Sequence, residues 1–220
     1  MSDAGGSLLD CLDADERRQL LAQTTRRKFK RGEVLFHDGD PGDTLHLIDK
    51  GHVAIRTTTP LGDVATFAVL GPGDVFGEQA VLRAGDRRSA TAVAVELAET
   101  RTLRRDQFEA LRRRHPQIDR FLIEVLVAQV RQLNSHLQEA LYVPAETRVL
   151  RRVLSLVPSY LEADGTCVVP LTQDDIATMA GTSRPTANRV LKAAAAEGLL
   201  RVGRGRIDIL DAGGLSDRAG

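Results

Sequence analysis

A chain of 220 residues, 42% hydrophobic and 27% charged, carries enough apolar material for two modest cores, and two domains are expected. Its 30 basic and 30 acidic residues give a formal net charge of +0, which excludes a whole-molecule field drawing the protein to nucleic acid or a membrane. Any DNA contact must come from a local patch. The opening Met1-Ser2-Asp3-Ala4-Gly5-Gly6 lacks a basic stretch followed by an apolar one, and no apolar run reaches the roughly 18 residues of a span, so a cytoplasmic protein without membrane contact is expected. Cys11 and Cys167 form neither a CxxC pair nor a disulfide framework, which argues against a thiolate-held metal or cluster.

Leu8, Leu9, Leu12, Leu20 and Leu21 among Asp13, Asp15, Glu16 and Arg17 predict short amphipathic helices, with Asp13 as an N-cap, that cover the next part of the chain. Over 29–103 the apolar period changes to two: Glu33-Val34-Leu35-Phe36, Leu45-His46-Leu47-Ile48, His52-Val53-Ala54-Ile55 and Ala90-Thr91-Ala92-Val93 read as strands. Turn chemistry separates them at Gly32, Gly39-Asp40, Pro41-Gly42-Asp43, Lys50-Gly51, Leu61-Gly62-Asp63, Gly71-Pro72-Gly73-Asp74 and Ala84-Gly85-Asp86. Short strands at that spacing predict an antiparallel jelly roll.

One stretch inside the roll, Gly77-Glu78-Gln79-Ala80-Val81-Leu82 through Arg88-Ser89, has the parts of a phosphate-and-ribose cradle. Gly77 permits close backbone approach, Glu78 accepts from a sugar hydroxyl, and the N–H groups opening a short helix at Gln79 and Ala80 favour an anion. Arg88 offers a planar fork to two phosphate oxygens, and Ser89 adds a hydroxyl. By residue type alone an Arg beside a Ser on a strand is usually a solvated edge pair, and a Gly-Glu pair usually a turn.

Ile123, Leu126, Val130, Leu133, Leu137 and Ala140 step by three and four along a helix predicted over 117–143, a seam that suits a two-stranded parallel coiled coil. A lone amphipathic helix lying on its own roll is the alternative. Phe121, Leu122 and Val125 are free to pack on the roll. Pro144 breaks this helix, making Tyr142-Val143-Pro144-Ala145 a hinge. A further helix runs through Val149, Leu150, Val153, Leu154 and Val157 and is expected to stop near Pro158, before an Asp164-Gly165 turn and a Cys167-Val168-Val169 strand.

Thr172 then caps a helix beginning at Gln173, small Ala177 admits a crossing helix, Gly181 supplies the turn, and Ser183 caps a second helix with Pro185 in its first turn. Ala187, Val190, Leu191 and Ala194 share one face of that helix; Arg184, Pro185, Thr186, Asn188, Arg189 and Lys192 lie off it. That polar face has what a major-groove reader needs, although a solvated basic face looks the same in sequence. Residues 199–209 read as a hairpin with Arg204 and Arg206 at its tip, placed to meet phosphates, and 213–220 as a loose tail. The expected class is α+β: a β-roll over 1–115, a dimerisation helix over 116–143 and a winged helix-turn-helix over 144–220.

A glycine-studded roll with Gly77-Glu78 and Arg88-Ser89, then a long heptad helix, then a winged helix-turn-helix resembles the cyclic-AMP receptor protein and FNR family of bacterial transcription regulators over nearly the whole chain. The resemblance implies a homodimer through the long helix, an allosteric cyclic nucleotide (cyclic AMP first, with cyclic GMP or none as alternatives), a palindromic operator on double-stranded DNA, and work with RNA polymerase. It gives Gly77 and Glu78 the ribose, with Glu78 on the 2′-hydroxyl, and Arg88 and Ser89 the cyclic phosphate. Leu133 and Asn134 stand where cyclic-AMP members place a hydroxyl and a small polar residue against adenine; Asn134 has the groups to meet a purine edge and Leu133 has not. Arg184 and Arg189 match base-reading arginines, while Pro185 replaces an acid that accepts from cytosine, so the operator should differ at that base pair. The cysteine cluster of the oxygen-sensing branch is absent. Two other readings remain: a same-fold regulator that needs no nucleotide or senses another effector, and a cupin-like metalloenzyme, for which His37, His46 and His52 make no convincing ligand set with His115 and His136 scattered elsewhere.

Overall fold

Ser7 and Asp13 begin the first helical turns by the same device. The Asp13 carboxylate accepts from the Asp15 and Glu16 amides at 2.9 and 2.8 Å while Glu16 returns a bond to the Asp13 amide at 2.9 Å. This reciprocal box starts α1 (Ala14–Gln23), and Ser7 with Asp10 does the same for a 3-10 turn at Leu8–Cys11. The computed structural model describes residues 7–59, 62–83 and 85–220. The turns read at Leu61-Gly62-Asp63 and Ala84-Gly85-Asp86 each include a residue outside that set.

The chain forms two units, one of residues up to Thr57 together with Phe67–Arg131, the other of Thr58–Thr66 with Gln132–Gly220. In chain order the roll contains β1 (Thr25–Phe29), β2 (Val34–Phe36), β3 (Thr44–Lys50), β4 (Val53–Thr58), β5 (Val64–Leu70), β6 (Val75–Phe76), α2 (Glu78–Leu82), β7 (Thr91–Ala94) and β8 (Ala98–Arg104). Its two sheets have the orders β1-β8-β3-β6 and β2-β7-β4-β5, and the registered pairs are antiparallel. Strand alternation separates two cores. Leu45 and Leu47 of β3 join Leu8, Leu12, Phe108, Ile118, Phe121 and Leu122, whereas Ile48 joins Phe29, Val53, Phe76 and the small Ala92, Ala94 and Ala98. The leading helices therefore cover the roll, as their leucines predict.

After α3 (Arg105–Arg114) comes α4 (Gln117–Tyr142), a helix of 26 residues. Ile118, Phe121 and Leu122 are buried in the roll's core with Val125 packed beside them. The seam is on a different face: Ile123, Val130, Leu133 and Leu137 are exposed, Ala140 with them, and Leu126 is half-buried. Val127 and Leu141 extend the exposed apolar row. Pro144 ends α4 and stands as the N-cap of α5 (Ala145–Tyr160).

The structure corrects two expectations. Helix α5 does not stop at Pro158 but continues to Tyr160, which is buried. A proline this near a helix end removes a single ladder bond, and the Leu161 amide still closes on the Val157 carbonyl at 2.9 Å. Nor is the tail loose. Beyond β9 (Val168–Val169), α6 (Gln173–Met179), α7 (Arg184–Ala196), β10 (Leu200–Gly203) and β11 (Arg206–Ile209), the chain forms α8 (Ala212–Ala219). Two glycines and a serine make that segment a weak helix former, but Asp211 caps it at the Gly214 amide and Leu215 and Ala219, four apart, are both buried. Packing overrides propensity. The strands β10-β11-β9 form the antiparallel sheet of this unit.

Candidate anion cradle and nucleic-acid interface

The cradle is built where β6 ends and α2 begins. Gly77 turns with φ +80°, and a Cβ there would meet the Arg88 Nη1 and lie 3.1 Å from the Thr44 carbonyl, so only glycine fits. The position of Arg88 is set by its backbone: its amide donates to the Asp40 carbonyl and its carbonyl accepts from the Gly39 amide, both at 2.8 Å. Its side chain is 4% exposed, and Glu78, whose charge acts on it, is 3% exposed. Nη2 donates to Thr44 Oγ1 at 2.7 Å, Nη1 to the Gly77 carbonyl at 3.2 Å, and the guanidinium lies 4.1 Å from the centre of the Phe36 ring. The buried Nε finds no acceptor among the described residues. Burial pushes the Arg88 pKa down while Asp43, Glu78 and Asp40 hold it up; a guanidinium so placed stays charged at neutral pH.

Glu78 accepts from Gln129 Nε2 of α4 at 3.0 Å, and Ser89 Oγ donates to Gln79 Oε1 at 2.9 Å in an exposed pair. Arg105 fastens α2 from beneath, its Nη2 donating to the Gly42 and Ala80 carbonyls at 2.7 and 2.5 Å. Behind Arg88, His46 stacks on Phe76 at 4.8 Å and touches Phe36 at 5.6 Å. Burial, with Arg88 and Arg27 adding to it, lowers the His46 pKa to about 3, so it is a neutral ring at physiological pH. The set suits an anion that carries a nearby hydroxyl: a buried cation with an orphaned donor, beside a buried carboxylate. Thr44, Phe36 and Gln129 were not legible as site residues, because each reaches the cradle from a distant strand or helix. Leu133 (54% exposed) and Asn134 (also exposed) lie on the part of α4 that belongs to the second unit.

The reading helices follow their caps. Thr172 Oγ1 accepts from the Asp175 amide at 3.1 Å and the Asp175 carboxylate takes the Thr172 amide at 2.7 Å, opening α6; Gly181 turns with φ +57°, and Ser183 Oγ accepts from the Thr186 amide at 3.3 Å to open α7. Ala187, Val190, Leu191 and Ala194 are buried as one face, leaving Arg184, Pro185, Arg189 and Lys192 exposed. Two of the polar residues already have partners. Asn188 Nδ2 donates to Gln173 Oε1 at 2.7 Å, joining α7 to the start of α6, and Arg189 Nη2 lies 2.9 Å from Glu146 Oε1. At the wing, Arg206 is 3.2 Å from Asp208 on its own strand while Arg204 is exposed at the tip. An open pocket of about 550 Å³ beside the wing is lined by Gln173, Lys192, Leu200, Arg201 and Val202, which adds Arg201 to the cations around the recognition helix.

Residues 26–115 match the family model of the cyclic nucleotide-binding domain, and residues 147–218 that of the Crp-like helix-turn-helix domain. The cyclic AMP receptor protein of Thermus thermophilus is 35% identical, with 98% of this chain and 97% of that one covered. A CRP-like cAMP-activated global transcriptional regulator of Mycobacterium tuberculosis is 30% identical, with 87% and 86% covered. Among solved structures, a CRP/FNR-family transcriptional regulator from Thermus thermophilus is similar at a TM-score of 0.73 and 26% identity, covering 89% of this chain and 98% of that one.

Proposed function

The chain belongs to the cyclic-AMP receptor protein and FNR family of transcription regulators, and we propose that it acts as a homodimer whose reading of a two-fold symmetric operator is controlled by a cyclic nucleotide, cyclic AMP before cyclic GMP. It is a DNA-binding regulator with a cyclic nucleotide-binding domain, and its family is not one of enzymes, which sets the cupin-like alternative aside. The observation that carries the effector reading is Arg88, a buried cation with an orphaned Nε beside buried Glu78. An anionic diester supplies the acceptor that the Arg88 Nε lacks, and a ribose hydroxyl adds a second donor for the Glu78 carboxylate.

In this reading Gly77, Glu78, Gln79, Ala80, Arg88 and Ser89 hold phosphate and ribose, with Asn134 at the purine. The exposed row from Ile123 to Leu141 on α4 supports dimerisation, since an apolar stripe of that length on a helix is buried by a second helix of the same kind. Arg184 and Arg189 read bases, and Thr172, Ser183, Lys192 and Arg204 meet phosphates. The roll takes 1–115, the dimerisation helix 116–143 and the reader 144–220. Effector binding shifts the dimer toward the operator-competent arrangement by hinging at Pro144, and the output passes to RNA polymerase in the cytoplasm. No helix among the described residues is long and apolar enough to cross a membrane.

A second reading, a regulator needing no nucleotide, draws on the same cradle. Arg88 Nη1 and Nη2 and the Glu78 carboxylate already have protein partners, and Leu133 brings no polar atom to a base. A mobility-shift selection from random duplex DNA, run with and without cyclic AMP, separates the two. Enrichment of a palindrome only with nucleotide supports the first; the same palindrome enriched equally without it supports the second.

A further inference from the structure

The guanidinium of Arg148, in the first turns of α5, donates to carbonyls from two other parts of its unit. Nη1 reaches the Val143 carbonyl just past the end of α4 at 2.8 Å; Nε reaches the Ala180 carbonyl at 2.9 Å and Nη2 the Gly181 carbonyl at 3.1 Å, both in the turn between α6 and α7. Carbonyls at helix C-termini have no intrahelical partner and favour a cation. Arg148 therefore closes the ends of α4 and α6 with one rigid plane. Three bonds from a planar fork fix orientation as well as distance, which a lysine ammonium on a flexible stem does not.

The Ala180 and Gly181 carbonyls held by this fork lie in the turn that leads directly into the recognition helix. The Thr182 amide closes on the Ala177 carbonyl at 3.0 Å, Ser183 caps α7, and Arg184 is the first residue of that helix. On the other side, Glu139 near the end of α4 pairs with both Arg151 and Arg152 of α5, and Arg151 Nη2 also holds the Gly220 carbonyl at 3.1 Å. The last turns of α4, the start of α5 and the reading turn are thus braced together, with Arg148 as the link to the turn itself.

We propose that Arg148 is a positioning residue that fixes the reading turn to the end of the long helix, and so sets the separation and rotational phase of the two recognition helices in the dimer. This rests on the dimeric operator reading above. The test uses full-length protein and the palindrome recovered by selection, prepared with its central spacing unchanged, lengthened by one base pair and shortened by one. A single base pair rotates one half-site against the other by about 35°. Wild type should lose about 100-fold in affinity on either altered operator, because the second half-site can no longer be engaged together with the first. Arg148→Gln and Arg148→Lys should cut that loss to about 10-fold or less while binding a single half-site duplex as wild type does. Folded variants, checked by circular dichroism, that keep the wild-type spacing penalty overturn the proposal. Failure of Arg148→Lys to fold also overturns it, in favour of a brace needed only for stability. A wild type indifferent to spacing refutes the dimeric reading instead, and this inference with it.

Discussion

Replacing Arg88 with glutamine removes the cation on which the effector reading depends, and the bonds it makes set the size of the effect. A hydrogen bond to a charged group contributes about 1.5–3 kcal/mol, so a fork on two phosphate oxygens supplies about 3–6 kcal/mol gross. Part of this is exchange, because Nη1 and Nη2 already hold the Gly77 carbonyl and Thr44 Oγ1 at 3.2 and 2.7 Å. The orphaned Nε adds in the other direction, since it has nothing to give up. The net loss should be about 2–4 kcal/mol, or about 30- to 1,000-fold in Kd for cyclic AMP. Titration calorimetry of wild type, Arg88→Gln and Arg88→Lys with cyclic AMP and cyclic GMP measures it, with nucleotide-free melting curves to separate binding from folding. Lysine keeps the charge without the fork and should fall between the other two. Equal dissociation constants for wild type and Arg88→Gln would refute the cradle assignment.

Gly77→Ala should destabilise the roll by about 1–3 kcal/mol in urea titrations, since it adds a collision with Arg88 to the cost of a positive φ. Gly85→Ala is the control: its φ is +84° but nothing lies within 4 Å of the added carbon, so it should cost less. His46 makes the acid limb steep. Its pKa is lowered to about 3 in the fold, so between the ordinary histidine value of about 6.5 and that point only the unfolded chain binds the proton. The stability due to neutral His46 is therefore present above about pH 6.5 and lost as pH falls toward 3, at about 1.4 kcal/mol per pH unit. Denaturation of His46→Leu across this range should show a shallower slope; an unchanged slope would assign the acid sensitivity elsewhere. Glu146→Gln releases Arg189 and removes a negative charge beside the recognition helix, so binding to non-specific duplex should tighten and its salt dependence steepen by about one unit of slope. Leu137→Glu puts a charge at a seam position 60% exposed in one chain; sedimentation should show dissociation to monomers with the roll still folded.

The readable parts of this chain are those whose physics is local. Caps at Asp13, Thr172 and Ser183, the period-two strands, the break at Pro144 and the two faces of α7 each follow from residues within a turn or two of one another, and each is where the sequence places it. The cradle is half legible for the same reason. Gly77-Glu78 and Arg88-Ser89 stand close in sequence, but the side chains that orient them do not: Phe36 and Thr44 come from other strands, and Gln129 lies 51 residues beyond Glu78. The helical tail is illegible because α8 has poor intrinsic propensity and owes its helix to Leu215 buried against elements far back in the chain. Arg148 shows the limit most sharply. In sequence it is one more polar residue among apolar neighbours on an amphipathic helix, and only the fold brings to it the Ala180 and Gly181 carbonyls, whose distance from it in sequence carries no periodic signal. Periodicity reports which face of an element is buried; the bonds that set the angle between elements come from residues that no period links.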